Sequence, residues 1–235
     1  MHFPAVPTML IVFTSANLTM RYTPTGWYLP EIADAYYCLD PHVKMDFASP
    51  KGPNPPVDPK SVVDWVNDPD SMHFMNDTKV QRKLAHAIKL QDVKVKDYDA
   101  IYYVGGLGAA VDLGNNTASA RVATEFWQSG KLVTGICHGP AGLVHAVDRR
   151  GKSIFAGRKC TTFSNDEERD ANQVEDVPFL VESRVRELGC IFQQAPTLGG
   201  SMVVKDGRLI TGENPASAKL LGNTILKALT GKTCM

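Results

Sequence analysis

Short apolar runs and helical periodicities alternate along most of the chain. Residues 9–14, Met-Leu-Ile-Val-Phe-Thr, form an unbroken apolar run, the pattern of a strand covered on both faces. Trp27, Leu29, Ile32, Ala35, Tyr36 and Leu39 then recur at helical spacing. Residues 43–48 alternate as a strand, 77–89 have helical spacing, and 100–104 form a strand that breaks at Gly105-Gly106. A helix over 118–128 stops at Gly130, a strand follows over 131–136, and helical spacing resumes over 138–147. Beyond it the pattern predicts a helix over 178–188 closed by Gly189, a short strand over 190–195, a hairpin about Asp206-Gly207 and a closing helix over 214–229.

Strands alternating with helices predict an α/β fold with a mostly parallel central sheet covered on both faces. Such sheets bind ligands beyond the carboxyl ends of their strands. The two glycine-rich breaks, after Val104 and around Cys137, both fall at such ends. Residues 50–76 stand apart, with prolines at 50, 53, 55, 56, 59 and 69 and little periodicity. A segment of that length is functional or disordered; it reads as a cap-like insertion near the site, within one domain spanning 1–235.

Composition narrows the function classes only slightly. Lys and Arg number 25 and Asp and Glu 25, so the formal net charge is zero and no basic footprint points to nucleic acid or an anionic membrane. The five cysteines, at 38, 137, 160, 190 and 234, are odd in number, widely spaced and free of CxxC pairs. That usage argues against a disulfide framework or a zinc site and suits a reducing compartment. Cys38, Cys160 and Cys190 are expected to pack as small core residues and Cys234 to fray with the terminus. Residues 1–16 are apolar but lack a basic leader and contain Pro4 and Pro7, so a core strand is expected rather than a signal peptide. No stretch approaches the ~18 apolar residues of a membrane helix. The expected compartment is the cytoplasm, with the nucleus as an alternative.

The chemistry concentrates in Gly135-Ile-Cys137-His-Gly139, a G-x-C-x-G nucleophile elbow with cysteine at its centre. The turn forces its central residue into a strained conformation and leaves no room for side chains on either side, a demand that glycine meets. A helix starting at His138 would direct free N–H groups at the sulfur and lower the thiol pKa from about 8.5. The plain alternative is a buried cysteine in a tight turn. Downstream of His138 the only histidine is His145, which sits too far along the same predicted helix to reach the sulfur. His138 is therefore the available imidazole, and Thr161-Thr-Phe-Ser-Asn-Asp-Glu-Glu168 offers carboxylates to orient it. Glu31 lies at the same sheet end, where a carboxyl beside a thiolate would be held protonated or would serve as acid and base; the bland reading is a glutamate favoured by a helix N-terminus. Gly105-Gly106-Leu107-Gly108 offers oxyanion donors, or simply a turn; it lacks the lysine of a phosphate loop.

These segments, with Thr25-Gly-Trp-Tyr-Leu-Pro-Glu31, Asp97-Tyr-Asp-Ala-Ile-Tyr-Tyr-Val-Gly-Gly106 and Asp206-Gly-Arg-Leu-Ile-Thr-Gly-Glu-Asn-Pro-Ala-Ser217, resemble the ThiJ/PfpI (DJ-1-like) superfamily over nearly the whole chain, most closely its heat-shock chaperone and glyoxalase III branch. The resemblance implies a flavodoxin-like three-layer sandwich, similar to class I glutamine amidotransferases, and a site with Cys137 as nucleophile, His138 as its partner, Glu168 orienting His138 and Glu31 beside the sulfur. Gly105, Gly106 and Leu107 would bound the oxyanion and substrate site, with donors from the Gly106 and His138 backbone. The implied activity is a glutathione-independent glyoxalase III, a lyase of the D-lactate dehydratase type. It turns methylglyoxal or glyoxal into lactate or glycolate with no cofactor and no metal. Alternatives within the superfamily are a holdase chaperone with unfolded-protein clients and a cysteine-based oxidation sensor, with deglycase or peptidase activity further off; a homodimer is a common assembly there. Two positions depart from the pattern. Leu107 stands where many relatives have histidine, and Asp34-Ala35 where many have His-Pro. Both are expected to alter the pocket mouth.

Overall fold

The apolar run after residue 7 becomes the centre of a seven-stranded sheet. The structure, a computed structural model, describes residues 6–234; residues 1–5, the first part of the stretch weighed above as a leader, lie outside it. In chain order the elements are β1 (Thr8–Val12), α1 (Leu29–Leu39), β2 (Lys44–Ser49), α2 (Pro59–Asp64), α3 (Pro69–Asn76), α4 (Thr78–Ala85), β3 (Ile88–Lys89), β4 (Ala100–Tyr103), α5 (Leu107–Asp112), α6 (Thr117–Gln128) and β5 (Leu132–Ile136). There follow a 3-10 turn (Gly139–Leu143), β6 (Lys159–Cys160), α7 (Asn165–Asp170), α8 (Val181–Glu187), β7 (Ile191–Phe192), β8 (Val203–Asp206), β9 (Leu209–Gly212), a further 3-10 turn (Pro215–Ser217) and α9 (Ala218–Thr230), with two more 3-10 turns (Leu90–Asp92 and Val95–Asp97) between β3 and β4.

The sheet order is β3-β2-β1-β4-β5-β9-β8, parallel throughout except for the antiparallel β8–β9 pair. Side-chain alternation explains why β4, and β1 from Met9 onward, are apolar at every position. Leu10, Val12, Ile101 and Tyr103 join one core with α6 residues such as Phe126. Met9, Ile11, Ala100 and Tyr102 join the opposite core with Ile32 and Tyr36 of α1 and Leu221 and Ile225 of α9. Two cores on two faces make the flavodoxin-like three-layer sandwich, and a sheet buried on both faces needs no polar side.

Four expectations change. The 77–89 periodicity spans two elements, because α4 ends at Ala85 and the chain enters the edge strand β3, which is too short to show alternation. Residues 138–147 hold only the five-residue 3-10 turn. Gly139, Pro140 and Gly142 are weak helix formers, and a Cβ at Gly139 would overlap the Tyr103 carbonyl. Residues 50–76 are not structureless: Asp58 and Asp68 cap α2 and α3, each followed by a proline at the first helical position. The cysteines also differ from expectation. Cys38 pairs with Cys234 and Cys160 with Cys190 as disulfides, leaving Cys137 as the free cysteine among the described residues. Sequence separations of 196 and 30 conceal Cα distances of 5.4 and 6.3 Å, inside the range a disulfide bridges. The pairing removes the cysteine argument for a reducing compartment. No helix among the described residues is long and apolar enough to cross a membrane.

Candidate active site

Strand β5 delivers Cys137 to the carboxyl edge of the sheet, next to the end of β4. Cys137 has φ of +56°, in the left-handed region. A side chain there is strained and is retained where its surroundings over-determine it. Its N–H donates to the Gly212 carbonyl at 3.0 Å and its carbonyl accepts from the Phe163 N–H at 3.0 Å. The flanking glycines are steric necessities: a Cβ at Gly135 would press on the Pro140 ring at 3.3 Å, and Gly139 lies against the backbone of Tyr103.

The Cys137 sulfur lies 3.2 Å from His138 Nδ1, and His138 Nε2 lies 2.9 Å from Glu168 Oε2. A carboxylate on Nε2 holds the proton there and leaves the Nδ1 lone pair facing sulfur. His138 and Glu168 are both buried. The imidazole also packs on the Phe163 ring, with centroids 4.8 Å apart. Glu168 is placed by α7, which opens with a capping box: the Ser164 side chain accepts from the Glu167 N–H, and Glu167 accepts from the Ser164 N–H. Asn214 Nδ2 donates to Glu167 Oε1 at 2.7 Å, tying α7 to the turn after β9. The helix that carries Glu168 is thus tied to the Asn-Pro-Ala-Ser segment, far away in sequence.

Glu31 reaches the sulfur from the first turn of α1. It is fully buried, and neither carboxyl oxygen has a hydrogen-bond partner of ordinary geometry. Burial pushes its pKa up to about 8, against smaller lowering influences from Cys137 and the Gly105 N–H. Burial therefore favours the protonated form of Glu31. Gly105 makes its approach possible, because a Cβ there would overlap Glu31 Oε2 and lie 2.7 Å from Cys137 Cβ. Gly106, at φ +95°, turns its N–H toward the sulfur.

The expected depression of the thiol pKa is reversed. Burial pushes the Cys137 thiol well up, and negative charge on Glu31 adds to it. The five-residue 3-10 turn that follows supplies no long helix dipole to offset burial. With the thiol raised, His138 Nδ1 at 3.2 Å is the group placed to take its proton, and Glu168 at 2.9 Å is placed to stabilise an imidazolium.

A cavity of about 320 Å³ opens onto Cys137, His138, Glu31, Gly106 and Leu107. Its remaining wall includes Tyr28, Asp58, Lys60, Phe163, Gln173 and Pro215; Tyr28, Phe163 and Pro215 lie in segments quoted above, but none of the six was assigned a site role from the sequence. Asp58 and Lys60 come from the 50–76 segment. That segment is anchored beside α1 by Trp27 N–H to the Pro56 carbonyl and Asp58 N–H to the Trp27 carbonyl, both at 2.9 Å. The Asp-Pro-x-Ser sequence at 58–61, repeated at 68–71, was the available signal for ordered helix starts. Of the two departures from the superfamily pattern, Leu107 lines the cavity. Ala35 does not: it packs under Gly222 of α9, where an added Cβ would come within 2.9 Å of the Ala35 Cα. His145 is exposed.

Known proteins share this framework. A probable glutathione-independent glyoxalase of Schizosaccharomyces pombe is 29% identical over 146 residues, which is 59% of this chain and 56% of that protein. The match thus spans little more than half of that relative's length. Glyoxalase 3 of Candida albicans is 28% identical over 179 residues, 73% of this chain and 75% of its own. Among solved structures, Rapid Encystment Protein 24 kDa of Francisella tularensis superposes with a TM-score of 0.89 at 31% identity, over 95% of this chain and 99% of that one. The sequence profile of the DJ-1/PfpI family matches residues 63–228, and the chain belongs to that family.

Proposed function

We propose that the protein is a glutathione-independent glyoxalase that converts 2-oxoaldehydes such as methylglyoxal into 2-hydroxy acids. The observation that carries this reading is the convergence of two proton-handling systems on one buried sulfur: the His138–Glu168 relay at 3.2 and 2.9 Å, and the neutral Glu31. The names of the S. pombe and C. albicans relatives support it.

In the proposed reaction His138 Nδ1 takes the thiol proton as sulfur adds to the aldehyde carbon, and Glu31 protonates the resulting oxygen. The product is a hemithioacetal, with Glu31 now a carboxylate. That carboxylate removes the remaining C1 hydrogen while the imidazolium protonates the C2 oxygen, giving an enediol. Glu31 returns its proton to C2, the C1 hydroxyl proton goes back to Glu31, and a thioester remains. C1 is oxidised and C2 reduced, so no external oxidant or reductant takes part. Water, activated by His138, then cleaves the thioester and restores the thiol. The N–H groups of Gly106 and His138 are the proposed oxyanion donors. The buried, raised thiol suits a nucleophile activated only in contact with substrate better than an oxidation sensor, which needs an exposed thiolate.

The test is an assay of methylglyoxal conversion without added thiol. Wild type is expected to release lactate, and Cys137→Ala to fall to the uncatalysed background. Lactate formation undiminished in the variant, or absent from both, contradicts the reading.

A further inference from the structure

The cavity is larger and more apolar than a three-carbon aldehyde requires, and Lys60 and Asp58 in its wall each have a partner within the protein. At about 30 Å³ per water its roughly 320 Å³ holds on the order of ten waters. That volume lies near the lower bound of about 300 Å³ for pockets that take drug-sized ligands. The apolar part of the wall includes Leu107, Phe163, Ala171 and Pro215. Leu107 begins α5 directly after Gly106, which places it next to the proposed oxyanion donor in the chain, and part of its otherwise buried side chain lines the cavity.

The charges at the mouth do not call for an anionic substrate. Lys60 is paired with Asp64. Asp58 accepts from the Thr25 hydroxyl at 3.0 Å and the Ser61 N–H at 3.1 Å. The aspartate is thus engaged in capping α2, and the exposed lysine has a carboxylate of its own helix as its nearest counter-charge.

We infer that the preferred substrate is a neutral 2-oxoaldehyde bearing an aryl or branched-alkyl substituent, seated between Leu107 and Phe163. This rests on the glyoxalase reading above and names the substrate class for the same site. Burying such a group on Leu107 and Phe163 removes apolar surface from water that a methyl group leaves wet. Each methylene-sized increment in an apolar pocket is worth roughly 10–200-fold in selectivity.

The test compares phenylglyoxal with methylglyoxal as substrates for wild type, Leu107→His and Leu107→Ala. Intrinsic reactivity differs between the two aldehydes but not between protein variants, so the change in their kcat/KM ratio on substitution isolates the pocket. Wild type is expected to favour phenylglyoxal, producing mandelate. The ratio is expected to fall about tenfold in Leu107→His, through a higher KM for phenylglyoxal, and to fall less in Leu107→Ala, which keeps the wall apolar. Conversion of methylglyoxal with a ratio unchanged by either substitution overturns the inference and leaves the glyoxalase reading standing. Failure to convert either aldehyde overturns both.

Discussion

Glu31→Gln is expected to lower turnover by roughly 10²–10⁴-fold, the range for losing a positioned acid–base group, while making the protein more stable at alkaline pH. The two effects share one cause. Burial raises the folded-state pKa of Glu31 from 4.5 to about 8. In this direction the folded state binds the proton more tightly than the unfolded state, so stability falls as pH rises between those values. At 1.36 kcal/mol per pH unit the cost at pH 9 is on the order of 5 kcal/mol. Glutamine has nearly the same shape and no such titration. Asp34, Asp112 and Glu213 are also pushed up by burial, to about 6, 6 and 7, and add slopes of the same sign in both proteins. The difference between wild type and variant therefore isolates Glu31. Urea midpoints measured from pH 5 to 9 should diverge steadily in favour of Glu31→Gln; parallel curves would mean that Glu31 is not a buried neutral acid.

The second large effect is expected at Glu168, which touches the imidazole but lies one residue removed from the sulfur. With a carboxylate on Nε2 the ring carries its proton there and offers Nδ1 to the thiol. A glutamine can instead present its amide N–H to Nε2, which favours the other tautomer and places an N–H against the sulfur. The base is then blocked, and the imidazolium loses its counter-charge. The comparable carboxylate-to-amide exchange in a serine-protease triad costs about 10⁴ in kcat. Glu168→Gln is expected to lose ~10³–10⁴ in kcat with little change in KM, read by steady-state kinetics on methylglyoxal. Near-wild-type kcat would show that His138 finds its tautomer without Glu168.

Much of this arrangement was legible in the sequence because its signals are local. The short apolar runs of β1, β4 and β5, bounded by turn residues, match strands buried on both faces, and G-x-C-x-G reports a backbone demand that the structure meets with φ of +56° at Cys137. Less legible were features that depend on residues remote in sequence. The engagement of Glu167 by Asn214, the two cysteine pairs and the wall formed by Asp58, Lys60, Gln173 and Pro215 arise only when loops at one sheet edge converge. The thiol illustrates a different gap. Its predicted activation assumed a helix from 138 to 147, whereas two glycines and a proline permit only a short turn, and burial then dominates. In the proposed mechanism, proton transfer during attack takes the place of a pKa lowered in advance.

The central claim, that Cys137 carries the substrate covalently, is tested most directly by mass spectrometry of protein quenched during turnover of methylglyoxal and digested with protease. A lactoyl thioester on the Cys137 peptide, absent from Cys137→Ala and accumulating in variants slow to hydrolyse it, is the expected result. Turnover with no acyl adduct on that peptide, or with the adduct on another residue, would contradict it.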